Sequence, residues 1–398
     1  MQTLFEDFYR RLSRTKTQFV RYLHSQIAWD QRLIGITGAR GVGKTTMLLQ
    51  HIKMVFGTAP DSVLYVSLDN LWFSGNSLLD LAADFDRQGG KVLFLDEVHK
   101  YRNWSQEIKN IHDGFPEMQV VFTGSSLLEI QKGKADLSRR TLLYDMRGLS
   151  FREFLELDRG EQFPVLSLSG ILGNHVKLAV EVVERIKPIP VFQEYLRHGY
   201  YPFYKEDVRG FHSRLSTVAN LILESDLPAV ENIEVHTIPK IKKLLWLISK
   251  SVPFTPNISD LSLQIGVSRN SLLNYLAWLE RAGLVRLLPP KGGGFNVLAK
   301  PEKIYLDNTN FIHAFEQQLP NVGNERETFF LNQVSSSAHV TAATRGDFLL
   351  DNAIAVEVGG RSKSSSQISD TPASYLALDN IEYGSGNRIP LWLFGFLY

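Results

Sequence analysis

The sequence predicts an α/β protein whose N-terminal part is a mostly parallel sheet with helices on both faces. Three observations carry this. Between Arg32 and Arg147 short apolar runs alternate with helical segments, the pattern that strand–helix–strand crossovers impose. The runs are too short for helices and rich in β-branched and aromatic residues. At 398 residues the chain exceeds one ordinary core, so two or three domains are expected.

Taken in order, Leu4, Phe5, Phe8 and Leu12, then Phe19, Val20, Leu23 and Ile27, have helical spacing and predict an N-terminal helix over 1–30. Strands are predicted at Leu33–Thr37, Ser62–Leu68, Lys91–Asp96, Gln119–Phe122 and Thr141–Met146, within a domain spanning 31–150. Phe151 to about Val235 reads as a mainly helical connector (151–235), broken at Pro188–Pro190 and Pro202. Ile238–Ala282 predicts three helices, and two short strands flank Lys291–Phe295, giving a segment 236–300. The remainder, 301–398, opens with a strand-like run at Lys303–Asp307 and continues with strands at Asp347–Leu350 and Ala353–Val358.

Composition narrows the function classes. With 44% hydrophobic and 21% charged residues this is an ordinary globular composition. A net charge of +1 means that any nucleic-acid site must be a local patch. The absence of cysteine excludes disulfides, thiolate metal sites and cysteine nucleophiles, and suits a reducing cytoplasm, the expected location. Met1–Gln18 lacks the apolar core of a signal peptide, and Ile389–Tyr398 falls short of the roughly 20 residues that cross a bilayer. No membrane partner is expected.

The chemistry is concentrated in the first domain. Leu33–Thr37 runs into Gly38-Ala39-Arg40-Gly41-Val42-Gly43-Lys44-Thr45 and then Thr46 at the start of a helical segment. This is G-x-x-x-x-G-K-[ST] in its strand–helix context. Glycines let backbone N–H groups close around phosphate oxygens, and the helix that follows directs its positive end at the anion. Lys44 is expected to reach the β- and γ-phosphates and Thr45 to ligate Mg²⁺, so ATP with Mg²⁺ is the expected ligand. A glycine-rich turn alone would not settle the matter. The apolar strand Lys91–Leu95 ends in Asp96 and Glu97, however, and that pairing turns a phosphate cradle into a candidate hydrolytic site. Asp96 is expected to hold the Mg²⁺ shell and Glu97 to orient or deprotonate water. Hydroxyls of Thr123, Ser125 and Ser126 would lie beside the γ-phosphate if their strand sits between the first and third, Ser125 being the candidate for a catalytic contact. Arg40, Arg139 and Arg140 are candidates for an arginine supplied to the transition state.

These residues resemble a bacterial and archaeal ATPase family of the AAA superfamily. The resemblance rests on Thr37–Thr46, Tyr65–Asp69, Phe94–His99, Phe122–Ser126, Arg140, Gly148–Phe154 and Tyr195–Pro202, in that order. It implies a P-loop ATPase core, a winged helix and a tail shaped like a restriction endonuclease. It also implies that assembly into a homo-oligomer can complete the site with a neighbour's arginine.

Within the implied winged helix, Ile258–Leu263, the turn Ile265-Gly266-Val267 and a helix capped by Ser268 and ending at Gly283 form a helix-turn-helix pattern, with Leu284–Leu288 and Gly292–Gly294 as the wing. As a DNA reader it would offer Arg269, Asn270 and Asn274 to base edges. The helix is otherwise rich in leucine, so a connector packed on the rest of the chain is the competing reading. In the implied nuclease-like tail, Glu327, Asp347 and Glu357 stand at the metal-ligand positions, but Gly359 stands where the family's nucleases carry lysine. Glycine cannot activate water or stabilise developing charge, so the fold is expected without firm grounds for cleavage. Lys363 in the following loop is the alternative source of that ammonium. The expected function is therefore Mg²⁺-dependent ATP hydrolysis coupled to the C-terminal segments. An ATP-gated nuclease and a nucleotide-responsive DNA-binding regulator are the rivals.

Overall fold

The computed structural model describes residues 1–58, 60–124, 137, 139–228, 233–250, 255–292, 300–315, 321–364 and 373–398. It divides into two compact units, Met1–Gly148 and Leu149–Pro228 with Asn232–Tyr398.

The first unit begins with helix α1 (Gln2–Arg14), which buries Leu4, Phe8 and Leu12 as one stripe. The helix expected to run to Trp29 stops at Arg14. Thr15 is extended, and helix α2 (Lys44–Val55) takes over the backbone hydrogen bonding. Lys53 Nζ donates to the Thr15 carbonyl at 2.7 Å, and Gln50 Nε2 donates to those of Lys16 and Phe19 at 2.8 and 2.7 Å. Carbonyls satisfied from another element need no helix of their own. Only a short 3₁₀ turn, Tyr22–Ser25, follows.

Five strands appear as predicted: β1 (Leu33–Thr37), β2 (Val63–Ser67), β3 (Val92–Asp96), β4 (Gln119–Thr123) and β5 (Leu142–Asp145). All pair in parallel in the order β2-β3-β4-β1-β5. β4 therefore lies between β1 and β3, and the tips of these three strands converge at one end of the sheet. In an open parallel sheet, ligands bind outside the carboxyl ends of the strands.

The second unit opens with helix α3 (Phe151–Arg159), whose start is fixed by a reciprocal cap between Ser150 and Glu153. Pro188 begins the helix Pro188–Glu194 rather than breaking one, because a first-turn proline has no N–H to satisfy. Pro202 likewise opens a 3₁₀ turn, Pro202–Glu206. Helices Ile238–Lys250, Ile258–Ile265 and Arg269–Arg281 are the predicted three. Gly266 (φ 73°) ends the second, and the Ser268 side chain caps the third. β6 (Val285–Leu288) pairs antiparallel with β7 (Lys303–Leu306). The run expected to open the C-terminal segment thus pairs with Val285–Leu288, across residue 300. Gly293 and Gly294 of the predicted turn lie outside the described residues.

The last five strands, β8 (Val340–Ala342), β9 (Phe348–Leu350), β10 (Ile354–Gly359), β11 (Ser374–Leu378) and β12 (Arg388–Pro390), form a second sheet in the order β12-β11-β10-β9-β8. It is antiparallel through β8-β9-β10 and parallel through β10-β11-β12. Helix Val322–Val334 packs on β10. The apolar C-terminal stretch Leu391–Phe396 is buried. Among the described residues no helix is long and apolar enough to cross a membrane.

Candidate active site

The loop after β1 has Gly38, Gly41 and Gly43 at φ 146°, 88° and 101°. Gly38 is also fixed by space, since a Cβ there would stand 2.2 Å from the Met146 carbonyl oxygen. Lys44, the first residue of α2, is buried, and its ammonium donates to the carbonyls of Gly38 and Ala39 at 2.8 and 3.0 Å. Burial lowers the Lys44 pKa, while the carboxylates of Glu97, Asp96 and Asp145 push it back up and the Arg40 guanidinium lowers it. Val42 is fully buried, and its carbonyl accepts from Arg21 Nη1 at 2.5 Å. Arg21 Nη2 donates to the carbonyls of Arg147 and Gly148 at 2.8 and 2.9 Å, so one buried guanidinium joins the loop to the end of the unit.

Asp96 at the tip of β3 is 2% exposed and accepts from three hydroxyls. Thr45 Oγ1 donates at 2.6 Å and the Tyr65 hydroxyl at 2.7 Å, both to Oδ2, and Thr123 Oγ1 donates to Oδ1. Burial and the adjacent Asp96 carboxylate raise the Tyr65 pKa, which keeps the phenol a donor. Glu97 follows in the left-handed region at φ 54°, a conformation that costs a β-carbon-bearing residue on the order of 1 kcal/mol. Its N–H donates to Thr123 Oγ1 at 3.1 Å, and its carboxylate lies 3.3 Å from Nε2 of buried His99. Thr123 thus relays between Glu97 and Asp96.

The structure brings together Lys44, Thr45, Asp96 and Glu97. Ser125 and Ser126 lie outside the described residues; Thr123 supplies the hydroxyl seen at that strand end. Thr46 is exposed on the outer side of α2. Arg40 stands close enough to Lys44 to affect its charge, Arg139 is exposed, and Arg140 is paired with Asp113 through Nε (3.0 Å) and Nη2 (3.2 Å). Arg21, Tyr65 and His99 received no role from the sequence. His99 at least sits just beyond the end of β3, whereas Tyr65 lies in the middle of β2 and nothing local marks Arg21, whose partners are distant carbonyls.

A second polar cluster lies in the C-terminal sheet. Lys303 Nζ stands 3.2 Å from Glu327 and 3.4 Å from Asp347, and the Tyr305 hydroxyl donates to Glu327 at 2.6 Å. Asp347 accepts from the Val358 N–H at 3.0 Å. Lys363 Nζ reaches Glu357 Oε1 at 2.5 Å. A Cβ at residue 359 would fall 2.7 Å from Cβ and Cγ of Lys363, so Gly359 leaves the room that this side chain fills. Burial, then the Asp347 charge, raises the Glu327 pKa. Among the described residues no set of three or more histidines or carboxylates is placed to hold a metal ion. On the helix Arg269–Arg281, Arg269, Asn270 and Asn274 are exposed while Leu272, Leu273, Leu276 and Leu279 are buried.

Residues 30–155 match a family model described as an AAA domain, and residues 189–320 match one described as a domain of unknown function (DUF8612). An uncharacterized protein of Methanocaldococcus jannaschii, MJ1637, is 29% identical over 287 residues, covering 69% of this chain. The chain spans 60% of the length of that curated relative. Among solved structures, the Walker-type ATPase PABY2304 of Pyrococcus abyssi aligns with a TM-score of 0.40 and 10% identity over 78% of this chain and 95% of its own. The ORC1 protein of Aeropyrum pernix, solved in complex with DNA, gives 0.31 and 13% over 78% and 91%. With its parallel sheet and glycine loop, the stretch 30–155 is similar to an AAA-type P-loop domain.

Proposed function

We propose that the chain binds ATP with Mg²⁺ and hydrolyses it, and that its nucleotide state governs the C-terminal segments. The contact between Thr45 Oγ1 and Asp96 Oδ2 at 2.6 Å carries this reading. It sets a hydroxyl and a carboxylate on one spot beside a buried ammonium, a donor set that would fit a hard divalent cation. Thr45 and Asp96 would hold Mg²⁺, which when bound supplies charge neutralisation at the β- and γ-phosphates. Lys44 exchanges its loop carbonyls for phosphate oxygens. Glu97 takes a proton from water, held in place by its N–H on Thr123. Ser125 is proposed as the hydroxyl that contacts the γ-phosphate.

Lys44→Ala tests the reading directly. It is expected to abolish ATP binding measured by calorimetry, and unchanged affinity overturns the proposal. Glu97→Gln is expected to retain binding and lose turnover.

A second reading, DNA cleavage by the C-terminal cluster, is favoured by one observation: Lys363 pairs with Glu357 from the space beside Gly359. Lys303, already bridging Glu327 and Asp347, counts against it, because an ammonium there competes with any cation. Metal-dependent plasmid cleavage by wild type, lost in Glu357→Ala, would establish it; no wild-type cleavage rejects it. DNA contact through Arg269, Asn270 and Asn274 belongs to the same proposal, since their exposure above a buried leucine face suits groove reading.

A further inference from the structure

In the second unit a cavity of about 500 Å³ lies among the helices Phe211–Leu221, Ile238–Lys250 and Thr309–Phe315, with Asn220, Lys242, Trp246, Lys250 and Phe315 on its walls. The helix Ile238–Lys250 carries four lysines, Lys240, Lys242, Lys243 and Lys250, and no acidic residue. Its apolar residues Ile241, Leu244, Leu245 and Ile248 are buried, yet Trp246 is 57% exposed. Lys242, Trp246 and Lys250 are spaced by four, so they form one stripe with a lysine about 6 Å of backbone rise on either side of the tryptophan. Lys242 is paired with Glu224, and Lys243 donates to the Gln264 carbonyl at 2.6 Å.

An indole face between two cations meets a planar ring attached to an anionic backbone. Base stacking on an aromatic side chain with phosphates on flanking lysines is the general mode of single-strand binding. The volume accommodates one unstacked nucleotide and is too small for a protein helix, about 10 Å across. An acidic peptide would use the lysines but leave the indole without a partner. A duplex keeps its bases stacked and offers this recess no ring. We propose that the cavity binds single-stranded nucleic acid, one base lying on Trp246 and the adjoining phosphates on Lys250 and on Lys242, which exchanges Glu224 for phosphate. This site is separate from the helix Arg269–Arg281 and does not depend on the ATPase reading.

The test is anisotropy of a fluorescein-labelled oligothymidylate of about a dozen nucleotides, titrated with the full chain at low salt without nucleotide. Wild type is expected to bind and to weaken steeply as salt rises. Trp246→Ala and Lys250→Glu should each weaken binding about tenfold or more, while Trp246→Phe keeps most of it. Glu224→Gln should tighten binding by freeing Lys242. Lys177→Glu, at an exposed lysine on another helix, should leave it unchanged. Circular dichroism of each variant guards against misfolding. No wild-type binding, full affinity in Trp246→Ala, or equal competition by a duplex of the same length overturns the proposal. The groove variants should behave alike in a Lys44→Ala background, so failure of the ATP reading leaves this result distinct.

Discussion

Arg21 and Val42 meet through a 2.5 Å hydrogen bond from guanidinium to carbonyl, and this bond anchors the outer turn of the phosphate loop to a residue outside it. Arg21→Ala removes donors from three buried or half-buried carbonyls. It is expected to destabilise the first unit by about 2–4 kcal/mol and to weaken ATP binding. Arg21→Lys should recover only part of both, because a single ammonium cannot span the three acceptors. Urea unfolding and calorimetry check the pair of effects; a stability loss with unchanged ATP affinity would confine Arg21 to folding.

The hydroxyl relay makes a separate prediction. Thr123→Val leaves the Glu97 N–H without its acceptor and removes one donor from Asp96. We expect a stability loss of about 1–2 kcal/mol and turnover reduced roughly tenfold with ATP binding retained. Asp96→Asn should cost far more turnover and abolish its dependence on Mg²⁺ concentration, read in a steady-state phosphate-release assay.

His51 supplies a pH dependence. It lies against His24 (Nε2 to Nδ1, 3.1 Å) and stacks on Trp29 at 3.6 Å between ring centroids. Burial, reinforced by His24, lowers its pKa to about 4 from an ordinary value of 6.5. Between those values the unfolded chain binds the proton and the folded one does not. The contribution is therefore complete above pH 6.5 and is lost as pH falls toward 4, with a limiting slope of about 1.4 kcal/mol per pH unit. Urea midpoints from pH 7 to 5 should fall, and less steeply in His51→Phe; equal slopes would reject the assignment.

At the C-terminal sheet, Gly359→Ala pushes against Lys363 and should separate it from Glu357, destabilising the protein by about 1–3 kcal/mol. Adding Lys363→Gly, which has no Cβ, removes the collision. The double variant should be less destabilised than the two single effects summed, which a double-mutant cycle in urea measures.

What the sequence revealed and concealed follows from range. The five strands of the first sheet, the glycine loop and the carboxylates at Asp96–Glu97 are written in local periodicity and spacing, and the structure places them as read. The end of the first helix at Arg14 was hidden because Gln50 and Lys53 satisfy the next carbonyls from afar. Alternation identified Lys303–Leu306 as a strand but not Val285–Leu288 as its partner, since pairing is a relation between segments. Thr123 could be placed near the site, but its relay between Glu97 and Asp96 depends on β4 lying beside β3. Lys363 could be named as a substitute for the lysine absent at Gly359; only the backbone path shows that the glycine admits it.

If Glu97 serves hydrolysis as proposed, its left-handed backbone sets function against robustness at a single residue. Asparagine tolerates that conformation better, so Glu97→Asn is expected to melt slightly higher while losing hydrolysis. Selection for thermal resistance alone would erode this position, and its persistence as glutamate would have to be maintained by selection for turnover.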